Sequence, residues 1–354
     1  MFQPLRCPYR GCSQHRFPRP RFYVRHGSFH PKCRPRPVPR FRCRNCRRTF
    51  SRQSFRMDFR DHKPYLNAPL FSMIASGIGI RQCGRILHLS LRCVELKLRK
   101  IGRHSRRLNL NLQGNLTGDV SLHFDELETY EGQRNTRPLS VPVLLESYSR
   151  FIIWAEAAPI RPRGKMSNKR RKAIIESDKQ HGRRKDLSRR SVVRAFSRGA
   201  TLVKCSSSVT LETDEKSSYP GLARGSFRSQ RLRHNKTNSR LFRGTWNPLF
   251  AVNNEEAIMR DLMGRLRRDS WLVSKKRRFL DLALQVHIAY RNLTRKRFNH
   301  DVESPAQVLG FLPRRLSPHE ILGWRQDWGT ESIHPLSHAG RRLIRRGKRD
   351  AIAA

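Results

Sequence analysis

The sequence predicts an α+β chain of several domains: a small zinc ribbon, a helix-turn-helix and a core built on a mixed sheet. Three observations carry that expectation. Two close cysteine pairs, Cys7/Cys12 and Cys43/Cys46, stand near the N-terminus. Three short apolar segments separated by Gly, His and Ser follow them. Beyond residue 119, stretches of alternating hydrophobicity carry acids, and segments of helical period come after them.

Composition narrows the partner. The chain has 354 residues, with 75 Lys and Arg against 27 Asp and Glu, a net charge of +48. A compact state of that charge repels itself, so a polyanion is expected, nucleic acid by default. A ribosome-bound or membrane-surface protein would share the charge. No apolar run is long enough to span a bilayer; the longest, Leu70–Ile80, holds two glycines. The N-terminal MFQPLRCPYR lacks the apolar centre of a signal peptide. The expected location is the cytoplasm, in association with the nucleoid.

Residues 1–60 are expected to form the ribbon. Five of the eight cysteines lie in the first 46 residues, which in a reducing compartment argues for metal rather than disulfides. Cys7 and Cys12 make one knuckle, Cys43 and Cys46 the other, a donor set for one tetrahedral structural Zn²⁺. So small a segment, crowded with Pro and Arg, buries little core, so the metal would supply most of its folding energy. His15, His26, His30 and Cys33 lie in the intervening loop; each can substitute for a cysteine, and a loop role is the simpler reading. The run RFRCRNCRRTF at Arg40–Phe50 interleaves arginine with aromatic residues, so Arg42, Arg44 and Arg47 are candidate phosphate contacts.

Residues 64–115 are expected to form the helix-turn-helix. Pro69–Ser76 and Ile80–Leu87 read as two helices broken by Gly77 and Gly79; His88–Ser90 is the turn and Leu91–Ile101 the third helix. Ser90 is its N-cap, and Leu87, Leu89, Val94 and Leu98 close a small core. Arg92, Lys97, Arg99 and Lys100 would then face the major groove, with Arg92, Lys97 and Arg99 the chosen DNA contacts. Three short helices also describe a plain bundle. Residues 102–118, rich in Arg, Asn and Leu, read as a linker with a short helix or strand.

Residues 119–312 are expected to form the core. In Ser121–Tyr130, SLHFDELETY, the period of two sets His123, Asp125 and Leu127 on one face and Leu122 and Phe124 on the other. An acid on a buried strand needs a partner, and a divalent cation is a natural one. Val143–Ser147 and Phe151–Ala157 continue an antiparallel meander through a turn at Tyr148–Arg150. Arg161–Arg190 holds 13 Lys or Arg in 30 residues, a solvated loop or an arm along a phosphate backbone, with helical spacing beginning at Leu187. Val209–Asp214 is a further strand ending in an acid. Asn254–Asp269 reads as an amphipathic helix with Ile258, Met259, Leu262 and Leu266 on its apolar stripe and Glu255 and Glu256 in its first turn. Phe279–Arg291 is another helix and Ser304–Leu312 a short one. Residues 313–354 are expected to be a basic tail, in which Trp324 and Trp328 pack back or contact DNA.

The order of these parts resembles bacterial insertion-sequence transposases that combine a zinc ribbon, a helix-turn-helix and a ribonuclease-H-like DDE core. The stretches that carry the resemblance are CRNCRRTFS (Cys43–Ser51), FDELET (Phe124–Thr129), TDEKSSYP (Thr213–Pro220) and NPLFAVNNEE (Asn247–Glu256). RRDSWLVSKK (Arg267–Lys276) and AYRNLTRKRFN (Ala289–Asn299) continue it, so it spans most of residues 1–312. It implies a catalytic triad of Asp125, Asp214 and Glu256 holding two Mg²⁺ (or Mn²⁺) ions. Asn253, one turn before Glu256, fits an Asn-x-x-Glu arrangement. Glu255 is the competing third acid, and His234 either orients the scissile phosphate or is a surface residue. Two ions can activate water and then a 3′-hydroxyl, and stabilise the leaving oxygen. The implied partners are double-stranded DNA, as terminal inverted repeats and target, and further copies of the chain in synapsis. A DNA-binding regulator with an inactive core and a structural RNA-binding protein are the alternatives.

Overall fold

The computed structural model describes residues 2–30, 36–162, 164–267 and 271–325. Cys33, Trp328 and the basic run Arg341–Arg349 lie outside them. The N-terminal unit opens with a single turn, α1 (Ser13–Arg16), followed by β1 (Tyr23–Phe29), β2 (Val38–Cys43) and β3 (Thr49–Ser51), which form an antiparallel sheet in that order. Its core is small and aromatic. Phe22, Phe41, Phe50 and Phe55 are buried beside the cysteines, with the Phe41 and Phe50 rings 5.9 Å apart.

Three helices follow: α2 (Asn67–Ala75), α3 (Ile80–Ile86) and α4 (Leu91–Leu112). The Ser90 hydroxyl accepts from the Cys93 amide at 3.3 Å and starts α4 as a side-chain cap. Val94 and Leu98 are fully buried, with Leu87 and Leu89 packed at the edge. The third helix does not stop at Ile101; it runs on to Leu112, so the helical part of the expected linker is a continuation of α4 and not a separate element. Ile101, Leu108 and Leu112 extend its buried stripe, and Gly102 lets a later helix approach so closely that Leu282 atoms stand 2.8 Å from where a Cβ would be. A mid-helix glycine costs about 1 kcal/mol in propensity, and tertiary packing overrides that here.

Lys97 does not reach the surface. Its ammonium donates to Asp61 Oδ1 (2.7 Å), Asn67 Oδ1 (2.8 Å) and the Lys63 carbonyl (2.8 Å), and the side chain is buried. By helical spacing it falls next to Leu98 on the inner side of α4, and the acid that neutralises it comes from a distant segment.

The core is a six-stranded mixed sheet. β4 (Thr117–Tyr130), β5 (Pro138–Glu146), β6 (Ile152–Ala155) and β7 (Ala158–Pro159) come first, then α5 (Asn168–His181) and α6 (Ser188–Leu202). β8 (Cys205–Asp214), α7 (Tyr219–Ser226), β9 (Leu232–Thr237), α8 (Phe250–Leu262) and α9 (Arg277–Leu293) follow, and α10 (Pro305–Val308) and α11 (Pro318–Gly323) come last. The strand order is β6-β5-β4-β8-β9, with β7 also paired to β5. β5 is antiparallel to β4 and β6, whereas β8 is parallel to both β4 and β9.

Each face of the sheet is covered. Leu122 and Phe124 pack with Val192 and Phe196 of α6 and Tyr219 of α7; the Phe124 and Phe196 rings are 4.7 Å apart. Leu127, Val141, Val143 and Leu145 pack with Val252 and Met259 of α8 and Leu280 and Leu284 of α9. The alternation along Ser121–Tyr130 therefore assigns faces as the sequence implies. Within the basic segment after residue 160, α5 forms a helix that buries no residue, and the chain re-enters the core at α6. Residues 313–325, assigned by sequence to the tail, return to the body: Leu316, Ile321 and Leu322 are buried, and Trp324 packs on His104 at 5.5 Å between ring centres. No helix among the described residues is long and apolar enough to cross a membrane.

Candidate functional site

Two sites emerge. At the first, the thiols of Cys7, Cys12, Cys43 and Cys46 converge, all four sulfurs within 4.8 Å of one another. Cys7 Sγ lies 3.7 Å from Cys46 Sγ and Cys12 Sγ 3.8 Å from Cys43 Sγ. Four sulfurs each about 2.3 Å from a tetrahedral zinc ion would sit about 3.8 Å apart, so the cage has the dimensions of a zinc site. Burial pushes the Cys7 and Cys43 thiols up. Burial also acts on Cys12, but the Asn45 side chain, 3.4 Å from its sulfur, and the Gln14 amide outweigh it and bring that thiol down to about 7. The cluster can bind a zinc ion, which would displace the remaining thiol protons. His15 stays out of the donor set: its Nδ1 is 2.7 Å from the Cys7 carbonyl. His26 and His30 are exposed.

The second site lies on the α8 side of the sheet. His123 of β4 pairs with Glu212 of the parallel strand β8, and two residues further along each strand stand Asp125 and Asp214. The period of two puts all four on the face that α8 covers. Burial, and then the charge of Asp214, raise the Asp125 carboxyl. Asp125 Oδ1 accepts from the Glu126 amide at 2.7 Å, and Asp214 Oδ1 from the Lys216 amide at 3.1 Å. Burial, and then the Arg150 charge, bring His123 down to about 4, so it is neutral at pH 7. The next residue, Glu126, faces the other way and is committed to Tyr219 Oη (2.6 Å), Ser140 Oγ (2.7 Å) and Lys216 Nζ.

The third acid was ambiguous by sequence, and the surroundings of the two glutamates differ. α8 starts at Phe250, so Glu255 and Glu256 lie in its second turn, not its first. A turn at Asn247 leads into the helix, its Oδ1 accepting from the Leu249 amide and its carbonyl from the Phe250 amide, both at 2.8 Å. Glu255 is fully buried, and both its oxygens accept from Arg291 Nε at 3.0 Å. Burial alone would raise this carboxyl; Arg291 outweighs it and holds it below the usual range. Glu256 makes a looser link, 3.6 Å to Arg260 Nη2 one turn along. Asp125, Asp214 and Glu256 do not close into a cluster as tight as that of the four thiols among the described residues.

His234 is not beside Asp214. On β9 it pairs with Leu211 of β8, and its Nε2 lies 2.9 Å from Thr213 Oγ1, on the opposite face. β9 itself escaped the sequence reading because Leu232–Thr237 is a half-exposed edge strand with one apolar residue. With it the site face gains Asn235, whose amide donates to Glu212 at 2.6 Å. Counting back by two from Asp214 is the signal that would have found Glu212. Of the candidate DNA contacts, Arg42, Arg44, Arg47 and Arg92 are exposed. Arg99 is half-buried with its guanidinium 5.4 Å from the Phe279 ring centre, and Lys97 is internal. Compared with known proteins, the chain matches no family model and no curated protein.

Proposed function

We propose that this chain is a DNA transposase: it binds the terminal inverted repeats of its element and cuts and joins DNA strands at the Asp125/Asp214 site. The observation that carries this is the pair of acids side by side on adjacent parallel strands, on the face covered by the helix that bears Glu256. The strand order β6-β5-β4-β8-β9, with β5 alone reversed between β4 and β6 and β8 and β9 parallel to β4, supports a ribonuclease-H-like core. The ribbon and the three helices that precede it support a DNA-binding half: exposed Arg42, Arg44, Arg47 and Arg92 offer phosphate contacts, and the net charge of +48 supplies the long-range attraction.

Asp125 and Asp214 fit a divalent cation. They are like charges held together, one of them buried enough that its ionised form is disfavoured, and a cation relieves both terms. Asp125, Asp214 and Glu256 would hold two Mg²⁺ or Mn²⁺ ions, which would supply charge neutralisation at the phosphate and a lowered pKa for the attacking hydroxyl. The chain's own residues fix the donors. β4 and β8 hold the two aspartates in register, and the Glu255–Arg291 pair pins α8 so that Glu256 keeps its place. Neutral His123 adds no charge beside them.

The test is strand cleavage of labelled DNA carrying the ends that flank the gene, with Mg²⁺ or Mn²⁺ and in synapsis-competent, dimer-forming conditions. Cleavage by the wild type, lost in Asp125→Ala, Asp214→Ala and Glu256→Ala, is the expected result. Tight, salt-sensitive binding without cleavage would favour the regulator, and the transposase reading would fall.

A further inference from the structure

The loop 238–249 joins the two parts of the acidic site. It leaves β9 at Thr237, which pairs with Asp214, and enters α8 a turn and a half before Glu256. Asn247 sets its shape, donating to the Phe242 carbonyl at 2.9 Å while its own amide bonds the Gly244 carbonyl at 3.1 Å. On this braced loop, Phe242 is 90% and Trp246 96% exposed. Two large aromatic side chains bare to water within five residues are unusual, since such groups normally bury most of their area. Arginines 240 and 243 alternate with them, both exposed, and the Arg243 charge acts on Asp125. Among the described residues neither ring is part of the buried core; Phe242 lies over Gly244, where a Cβ would come within 2.7 Å of it.

Resting on the reading above, we infer that this loop is a stacking clamp for unpaired DNA bases beside the scissile phosphate, with Phe242 and Trp246 as platforms and Arg240 and Arg243 on the backbone. Aromatic faces accept any base, and guanidinium groups follow the strand, which is the chemistry that selects single-stranded over duplex DNA. A duplex presents no free base faces, so the clamp binds DNA whose ends have opened. The phosphate between the opened bases then lies at the acids, and exposure of the rings is the cost of keeping the platform ready.

The experiment uses the full chain in two arms. In the first, binding of a labelled single-stranded oligonucleotide and of a duplex of equal length is measured at one salt concentration. Phe242→Ala, Trp246→Ala and Asn247→Ala are compared with wild type after thermal unfolding has checked their folding. Each ring substitution is expected to weaken single-strand binding about 5- to 100-fold and duplex binding less than about 2-fold. Equal losses on both ligands, or none, overturn the clamp. In the second arm, cleavage is compared on fully paired ends and on ends mismatched around the cut. Trp246→Ala should lose activity on paired ends and recover on mismatched ones; equal activity on both overturns the clamp while leaving the transposase reading intact. Strand-selective loss in the first arm with a wild type that cuts nothing upholds the clamp and removes the transposase reading.

Discussion

Replacing Arg291 by Met separates the two adjacent glutamates. Arg291 and Glu255 are both fully buried, with Nε–Oε distances of 3.0 Å and a second contact from Nη2 to Oε2 at 3.0 Å. Charge centres about 4 Å apart attract by about 4 kcal/mol at an effective dielectric of about 20. Removing one partner leaves the other charge buried, a loss of about 3–5 kcal/mol in comparable pairs. Two carbonyls, of Lys296 and Arg297, also lose their donor. At about 2–4 °C per kcal/mol for a unit of this size, the melting temperature should fall by roughly 6–20 °C at pH 7. The pH dependence has a definite sign. The folded pKa of Glu255 is depressed, so the pair stabilises above the ordinary carboxylate range and its contribution fades as pH falls through the depressed value. In Arg291→Met the largest influence holding the carboxyl down is gone and only His287 still opposes burial, so the carboxyl protonates more easily and the deficit against wild type should shrink from pH 7 to pH 5. Circular dichroism melts across that range read both effects. Adding Glu255→Leu to Arg291→Met should recover most of the loss, since an apolar pair replaces a buried ion pair at little cost. An unchanged melting temperature in Arg291→Met would refute the anchoring role. So would a Glu255→Gln variant that melts like wild type yet cuts no DNA while Glu256→Gln cuts normally.

Three further outcomes are expected. Cys43→Ala should lose stoichiometric zinc, measured by metal analysis of purified protein, and a retained equivalent would refute the four-thiol assignment. The raised Asp125 pKa means that its ionised form opposes folding at neutral pH, so Asp125→Asn should melt higher than wild type at pH 7; in a melting titration Mg²⁺ is expected to stabilise the wild type and not the variant. Gly102→Ala should destabilise by about 1–3 kcal/mol in urea unfolding although alanine is the better helix former by about 1 kcal/mol, because the added Cβ meets Leu282 at 2.8 Å; a gain in stability would mean that the two helices separate freely.

Much of this architecture was legible in residue order. The cysteine pairs announced the thiol cage, since only short spacings let two sulfurs share an ion. The alternation of Leu122, His123, Phe124, Asp125 and Leu127 fixed which face each side chain takes, because the strand period is a local property. Ser90 marked the start of α4 for the same reason. The errors came where long-range contacts overrode local signals. Gly102 looked like the end of a helix and instead admits α9. The second turn, not the first, holds Glu255 and Glu256 because α8 begins at Phe250, after a turn at Asn247 that lies outside the apolar stripe.

By itself, the sequence determined charge, cysteine spacing and strand faces. These depend on residue type and on separations of two to four positions. Tertiary structure alone decided that Asp125 stands beside Asp214, 89 residues apart in the chain but two strands in contact. It also decided that Lys97 turns inward to Asp61 and that Glu255 is taken by Arg291. Each of these is the choice of a partner for a charge, and the energy of that choice depends on distance and burial, which no local pattern encodes.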